Sequence, residues 1–295
     1  MSSTSAERDF GKSPSIGQWR DRAVLLQGRG EIFVRESAGP DGAPTLVLLH
    51  GLGATGLLNW RPVFETLAQN YRVLVVDHRG HGRGMRIRSH FRLADCADDV
   101  AALTDQLGVE RFVAVGYSMG GPIAQLLWQR HRSRVDGLVL CATACRFTSA
   151  HRRRMSRAFS PLLNVAGRVA PRRTIRRIAQ QWLSDAITDP AIRDRVLSEV
   201  GSSDPVTLGQ AAAAVARFDS TAWAGEIDVP TSVVLTERDQ LVPANNQRAM
   251  ADRIRGAVVH SVPGDHSVCV TRPAIFVPAL ADACISVVRR AGESP

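Results

Sequence analysis

Val113-Ala114-Val115-Gly116-Tyr117-Ser118-Met119-Gly120-Gly121 is the stretch whose reading decides the fold. A run of β-formers ends in Gly-x-Ser-x-Gly, and the helical pattern Pro122-Ile123-Ala124-Gln125-Leu126-Leu127-Trp128 follows at once. That is the text of a strand, a tight turn and a helix with Ser118 at the apex. A serine on such a turn sits in a strained backbone conformation with its hydroxyl clear of the sheet. The positions two before and two after it must be small, because the turn leaves no room for a Cβ. Gly116 and Gly120 meet that condition. The helix starts just past Ser118, so its unpaired N–H groups and positive dipole end lie beside any negative charge formed on a carbonyl under attack. Met119 N–H is therefore a candidate oxyanion donor. The pentapeptide alone turns up by chance in glycine-rich chains; the flanking strand and helix make it a nucleophile elbow.

Upstream, Thr45-Leu46-Val47-Leu48-Leu49 is a continuous apolar run of the kind found in strands covered on both faces. It ends in His50-Gly51-Leu52-Gly53-Ala54-Thr55-Gly56, a glycine-rich loop whose backbone can approach a substrate closely. Leu52 N–H is the natural second oxyanion donor. A further buried strand, Arg72-Val73-Leu74-Val75-Val76-Asp77, leads into His78-Arg79-Gly80-His81-Gly82. These two histidines are expected to brace the turn by hydrogen bonds rather than act as bases. Before all of this, Ala23–Leu26 and Glu31–Glu36 flank a glycine-containing turn and predict an antiparallel hairpin at the sheet edge. Helices are predicted over 60–70 and 93–107.

Downstream, Val135–Cys141 is another buried strand, and the strand-helix alternation calls for a parallel sheet wrapped by helices on both faces. At Arg146 the alternation stops. Up to about Trp223 the text is helical and amphipathic, punctuated by Pro161, Pro171, Pro190 and Pro205. The β pattern resumes at Thr231–Thr236 and again at 257–262, with a closing helix over 273–289. The helical block reads as a cap inserted above the strand ends, where ligands bind in open α/β sheets. The organisation expected is a disordered leader over 1–21, a first core segment over 22–145, a helical cap over 146–223 and a second core segment over 224–295.

The 295 residues, 44% of them hydrophobic, can bury one substantial core. The formal charge of +9 comes from one place: ten arginines and no acidic residue lie between Arg146 and Ser184. No recognition motif or aromatic platform accompanies them, so nucleic acid is not an expected partner. Over a cap they could draw an anionic lipid surface or an anionic substrate, or simply form a solvated helical face. Phe159, Leu162, Leu163, Trp182 and Phe218 are read as cap-core or pocket residues, core being the commoner role. Five scattered cysteines without a C-x-x-C point to neither a disulfide framework nor a metal site, and read as small buried apolar residues. No apolar run approaches the ~20 residues that cross a bilayer. Met1 to Gly17 also lacks the apolar core of a secretory signal, and the expected location is the cytoplasm.

Two strand ends complete the picture. Thr231–Thr236 runs into Glu237-Arg238-Asp239-Gln240-Leu241-Val242-Pro243, and the next strand runs into Pro263-Gly264-Asp265-His266-Ser267. Singly, an acid or a histidine in a loop says little. A serine, an acid and a histidine in that order, each just after a buried parallel strand, form the arrangement acyl transfer requires. His266 would take the proton of Ser118, and Asp239 would hold the ring tautomer and offset the imidazolium charge.

On His50-Gly51-Leu52-Gly53, Asp77-His78-Arg79-Gly80-His81-Gly82, Gly116–Gly121, Asp239 in its E-R-D-Q-L-V-P context and His266, the chain resembles the α/β-hydrolase fold superfamily over roughly residues 22–290. The resemblance implies a mostly parallel eight-stranded sheet flanked by helices with an inserted helical cap. It implies Ser118 as nucleophile, His266 as base, Asp239 as acid, Leu52 and Met119 amides as the oxyanion hole, no cofactor, and a small-molecule ester as substrate. The finer likeness is to carboxylesterases, monoacylglycerol lipases and enol-lactone hydrolases; serine at the elbow argues against dehalogenases and epoxide hydrolases of this fold, which use aspartate. A lactonase, a C–C bond hydrolase or a perhydrolase would use the same three residues, and a non-catalytic ligand receptor would use only the fold. Gly84, where a serine commonly stands, and Asp265, where a small residue is usual, depart from the group's pattern.

Overall fold

A computed structural model describes residues 8–9, 19–87, 89–147, 194 and 204–293. The strands are β1 (Arg8–Asp9), β2 (Arg20–Leu26), β3 (Gly30–Ser37), β4 (Thr45–Leu49), β5 (Arg72–Asp77), β6 (Phe112–Tyr117), β7 (Val135–Cys141), β8 (Thr231–Thr236) and β9 (Val258–Val262). The helices are α1 (Gly56–Ala68), α2 (Leu93–Gln106), α3 (Gly120–Arg130), α4 (Pro205–Arg217), α5 (Ala244–Arg253), α6 (Val268–Thr271) and α7 (Pro273–Gly292).

All the strands join one sheet in the order β1-β2-β3-β5-β4-β6-β7-β8-β9. The pairings from β5 through β4 and β6 to β9 are parallel, while β3 runs antiparallel to β5 and forms the predicted hairpin with β2. Eight strands of five residues or more are thus present, and the two-residue β1 adds to the β2 edge by pairing Arg8 with Ala23 and Asp9 with Arg22. The first long strand begins at Arg20, inside the stretch read as leader. Helix α5 was not foreseen: its Ala-Asn-Asn-Gln-Arg-Ala-Met-Ala-Asp-Arg text buries only Gln247, Met250 and Ala251 and offers little apolar period.

The central strands are apolar throughout because both faces are covered. In β4 every residue is buried. Val47 and Leu49 face a core with Val100 of α2 and Ile123 and Leu127 of α3. Leu46 and Leu48 face the opposite core with Trp60 and Phe64 of α1 and Phe276 and Leu280 of α7. The period of two along the strand separates these layers, and each such side chain contributes about 1.5–3 kcal/mol relative to exposure.

The order of the strands decides where a site can form. From β4 the chain passes to β5 on one side, and β6 then returns to β4's other side. That reversal opens a crevice beyond the carboxyl ends of β4 and β6. His50 to Leu52 leave one of those ends and Ser118 the other.

The described residues on either side of the expected cap meet at the core. Arg146 pairs with Asp219 as an isolated antiparallel bridge, Ser220 N–H donates to Cys145 O at 3.0 Å, and the Ser220 hydroxyl donates to Gln125 of α3 at 2.6 Å. The returning helix α4 is capped by Asp204 and docks on the loops after β5. Asp204 N–H donates to Gly80 O, and Gln210 accepts from Phe91 N–H at 2.8 Å. Phe218 is buried against Trp223 in core packing. The rest of the expected cap, with Arg152 to Arg177, Phe159, Leu162, Leu163 and Trp182, lies outside the described residues, as does most of the expected leader. All five cysteines are buried free thiols. No helix among the described residues is long and apolar enough to cross a membrane.

Candidate active site

The elbow is built as its sterics demand. Ser118 has φ +51°, a left-handed conformation costing a non-glycine residue about 1–3 kcal/mol unless its surroundings enforce it. They do: Ser118 N–H donates to Cys141 O at 2.9 Å, and the Ser118 carbonyl accepts from Thr143 Oγ1 at 2.9 Å and from Gly121 N–H at 3.0 Å. A Cβ on Gly116 would stand 2.3 Å from Gly120 O, and one on Gly120 would stand 2.1 Å from Leu49 O. Strand, turn and helix therefore close on one another only with glycine at both positions.

The structure brings Ser118, His266 and Asp239 into one line. His266 Nε2 lies 2.9 Å from Ser118 Oγ and His266 Nδ1 lies 2.7 Å from Asp239 Oδ2. Asp239 follows β8 and His266 follows β9. The Asp239 side chain is fully buried and the imidazole is one-fifth exposed, so acid and ring are shielded while the ring's far edge reaches the crevice. Asp239 Oδ1 accepts from Leu241 N–H at 2.9 Å and Val242 N–H at 2.8 Å, and Oδ2 accepts from the Thr236 hydroxyl at 2.8 Å. With the carboxylate acting as acceptor at every contact, the ring proton belongs on Nδ1. Nε2 is then left to accept from the serine hydroxyl.

The two candidate oxyanion amides flank the nucleophile. Met119 sits at the N-cap of α3. The Leu52 loop lies against Ser118, since a Cβ on Gly51 would be 3.3 Å from Ser118 Cβ. Among the described residues neither Leu52 N–H nor Met119 N–H has a hydrogen-bond acceptor, and both are available to a developing oxyanion.

Three histidines pack beneath this loop, with the rings of His78 and His81 4.5 and 5.3 Å from that of His50. All three are buried. Burial lowers His50 to about 4 and His81 to about 3, and takes His78 well below the ordinary histidine value, so all three are neutral near pH 7. His50 Nε2 accepts from His78 N–H at 3.0 Å and its Nδ1–H donates to Gly51 O at 2.7 Å. That carbonyl belongs to the same peptide unit as Leu52 N–H, so His50 orients the donor from behind. Of the two histidines expected to brace the turn after β5, His81 does so through Nδ1–H to Arg79 O at 3.1 Å, while His78 contributes its backbone N–H and its ring Nε2 has no partner among the described residues.

Several residues that shape the site carry no sequence signal. Asn59, Tyr117, Thr236 and Gln247 are ordinary letters inside elements, and only burial beside the three catalytic candidates gives them a role. The two departures from the family pattern are also explained. A Cβ on Gly84 would lie 2.2 Å from His78 O, which excludes serine. Asp265 is exposed and accepts from Ser267 N–H and hydroxyl, capping the turn after the histidine.

Comparison with known proteins finds relatives of the whole fold. Residues 44–171 match the family model described as alpha/beta hydrolase fold. The chain is 31% identical over 236 residues to a Caulobacter sp. (strain K31) protein named "Putative carbamate hydrolase RutD", covering 79% of this chain and 87% of the relative. It is 30% identical over 246 residues to a pimeloyl-(acyl-carrier protein) methyl ester esterase of Chromobacterium violaceum, covering 81% and 93%. A thermophilic esterase from Thermogutta terrifontis superposes with a TM-score of 0.74 at 26% identity, covering 90% of this chain and 98% of that one.

Proposed function

The chain belongs to the α/β-hydrolase fold family, and on that premise we propose that it is a serine hydrolase of carboxylic esters working through an acyl-serine intermediate. The observation that carries the reading is the continuous line Ser118 Oγ, His266 Nε2, His266 Nδ1, Asp239 Oδ2, with contacts of 2.9 and 2.7 Å, beside two unengaged amides.

The steps follow from the positions. As Ser118 Oγ attacks the ester carbonyl carbon, its proton passes to His266 Nε2, and Asp239 offsets the imidazolium charge. The carbonyl oxygen becomes an oxyanion and accepts from Leu52 and Met119 N–H. Collapse breaks the bond to the alkoxy group, which leaves with the Nε2 proton. Water then enters, gives its proton to Nε2 and attacks the acyl-serine carbon. A second collapse frees the acid and returns the proton to Ser118.

An ester substrate is supported by the esterase names of two relatives. Carbamates are the second class, supported by the name of the Caulobacter relative; the same attack applies, with an amine or alcohol leaving. Five unpaired thiols suit the reducing cytoplasm, where we place the reaction. The test is a fluorophosphonate probe together with p-nitrophenyl esters of increasing acyl length and matched carbamates. Labelling confined to Ser118 and turnover lost in Ser118→Ala are expected. Turnover retained in that variant overturns the reading.

A further inference from the structure

Behind the crevice lie two buried polar ties that the reaction scheme does not use. Gly51 N–H donates to Asn59 Oδ1 at 2.8 Å, and Asn59 Nδ2–H donates to Cys269 Sγ at 3.4 Å. Cys269 stands three residues after His266, whose backbone carbonyl accepts from the Tyr117 hydroxyl at 2.8 Å. Asn59 is 6%, Cys269 1% and Tyr117 2% exposed, so water competes for none of these contacts. The Cys269 sulfur accepts from Asn59, and the Tyr117 proton is committed to His266 O.

The first tie joins Gly51, the residue before the Leu52 amide, to the segment just after His266; the second joins His266 itself to Tyr117, which precedes Ser118. Resting on the hydrolase reading above, we propose that Asn59, Cys269 and Tyr117 are positioning residues, a buried strut that fixes the oxyanion loop and the base at one spacing about the nucleophile. Burial supports the strut by pushing the Cys269 thiol up to about 11 and the Tyr117 hydroxyl well above its usual value, so both groups keep their protons through the neutral range. The geometric tolerance is narrow, since a misplacement near 1 Å at a reacting centre costs about 100-fold in rate.

The strut is tested with p-nitrophenyl butyrate turnover per active site, counted by fluorophosphonate titration, and with the rate constant of Ser118 labelling by that probe. Counting sites removes any loss due only to misfolded molecules. Asn59→Leu and Tyr117→Phe are expected to lower per-site kcat by about 10–100-fold with KM changed far less, and to slow labelling in parallel. Cys269→Ser, whose hydroxyl oxygen can still accept from Asn59, is expected to keep most of the rate that Cys269→Val loses. Should Asn59→Leu fail to fold, Tyr117→Phe, which removes one oxygen, decides. Per-site kcat and labelling constants at wild-type values in Tyr117→Phe, with the wild type itself labelled at Ser118, overturn the strut and leave the hydrolase reading standing. A wild type that is neither labelled nor active overturns both.

Discussion

The buried carboxamide of Gln247 donates to the Thr236 hydroxyl oxygen at 2.7 Å, and that leaves the hydroxyl proton to Asp239 Oδ2 at 2.8 Å. Gln247 also accepts from Thr236 N–H and donates to Val242 O, so an entirely buried amide sets the donor that steadies the acid. Thr236→Val keeps the shape and removes one hydrogen bond to a charged acceptor, a contact worth about 1.5–3 kcal/mol. Ester kinetics are expected to show kcat/KM lowered by roughly tenfold or more. An unchanged kcat/KM would mean that the two backbone donors on Asp239 Oδ1 suffice.

Ser118 stores strain that glycine would release. At φ +51° the cost of the side chain is about 1–3 kcal/mol, partly offset because glycine loses more freedom on folding, by about 0.4–1 kcal/mol. Ser118→Gly is expected to abolish ester turnover and raise the unfolding free energy by about 1 kcal/mol in urea titration. A less stable variant would show that the Ser118 side chain contributes more than its backbone costs.

Gly120 should tolerate nothing larger. Its Cβ would meet the Leu49 carbonyl oxygen at 2.1 Å, and backbone of a central buried strand cannot yield as a flexible side chain would. Gly120→Ala is expected to cost about 3 kcal/mol or to prevent folding, read as a lowered thermal midpoint or loss of soluble protein. Gly108, where the same Cβ would meet nothing within 4 Å, is a poor comparison because its φ is +64°; Gly209, open and on α4, is the matching control.

The histidines beneath the oxyanion loop make the fold sensitive to acid. Unfolded histidine takes up a proton near pH 6.5, whereas His50 in the folded chain does so only at about 4. Between those values the unfolded state binds more protons, so stability is fully present above pH 6.5 and is lost as pH falls toward 4. For His50 alone the loss is on the order of 3 kcal/mol, and His81 extends it to about pH 3. Chemical unfolding from pH 7 to pH 4 should show this decline, with a shallower slope in His50→Asn. A slope unaltered by that substitution would assign the acid sensitivity to other groups.

Legibility differed between kinds of residue. Leu46 to Leu49 announce a strand buried on both faces because no polar residue interrupts them, and Gly116 and Gly120 announce the elbow because only glycine fits there. Ser118 and Asp239 were readable because each follows such a strand; His266 follows a strand too, but β9 is largely exposed where the text Ala257 to Val262 reads as buried. Helix α5 was not, since Gln247, its most consequential residue, looks in sequence like any exposed glutamine. Nor was the start of the sheet, where Arg20 and Asp21 read as leader text but pair with Glu36 and Arg35.

What residue order settled by itself is local: which runs form strands, where each turn must fall, and which side chains stand at strand ends, all consequences of hydrophobic period and of space around a backbone. Which strand ends become neighbours was decided by the tertiary fold, because β4 takes β5 and β6 on opposite sides and so opens the crevice between them. The partners of Asn59, Tyr117 and Gln247 were decided there too. A polar side chain acquires a role when burial removes water as its alternative partner, and burial is a property of distant segments brought together.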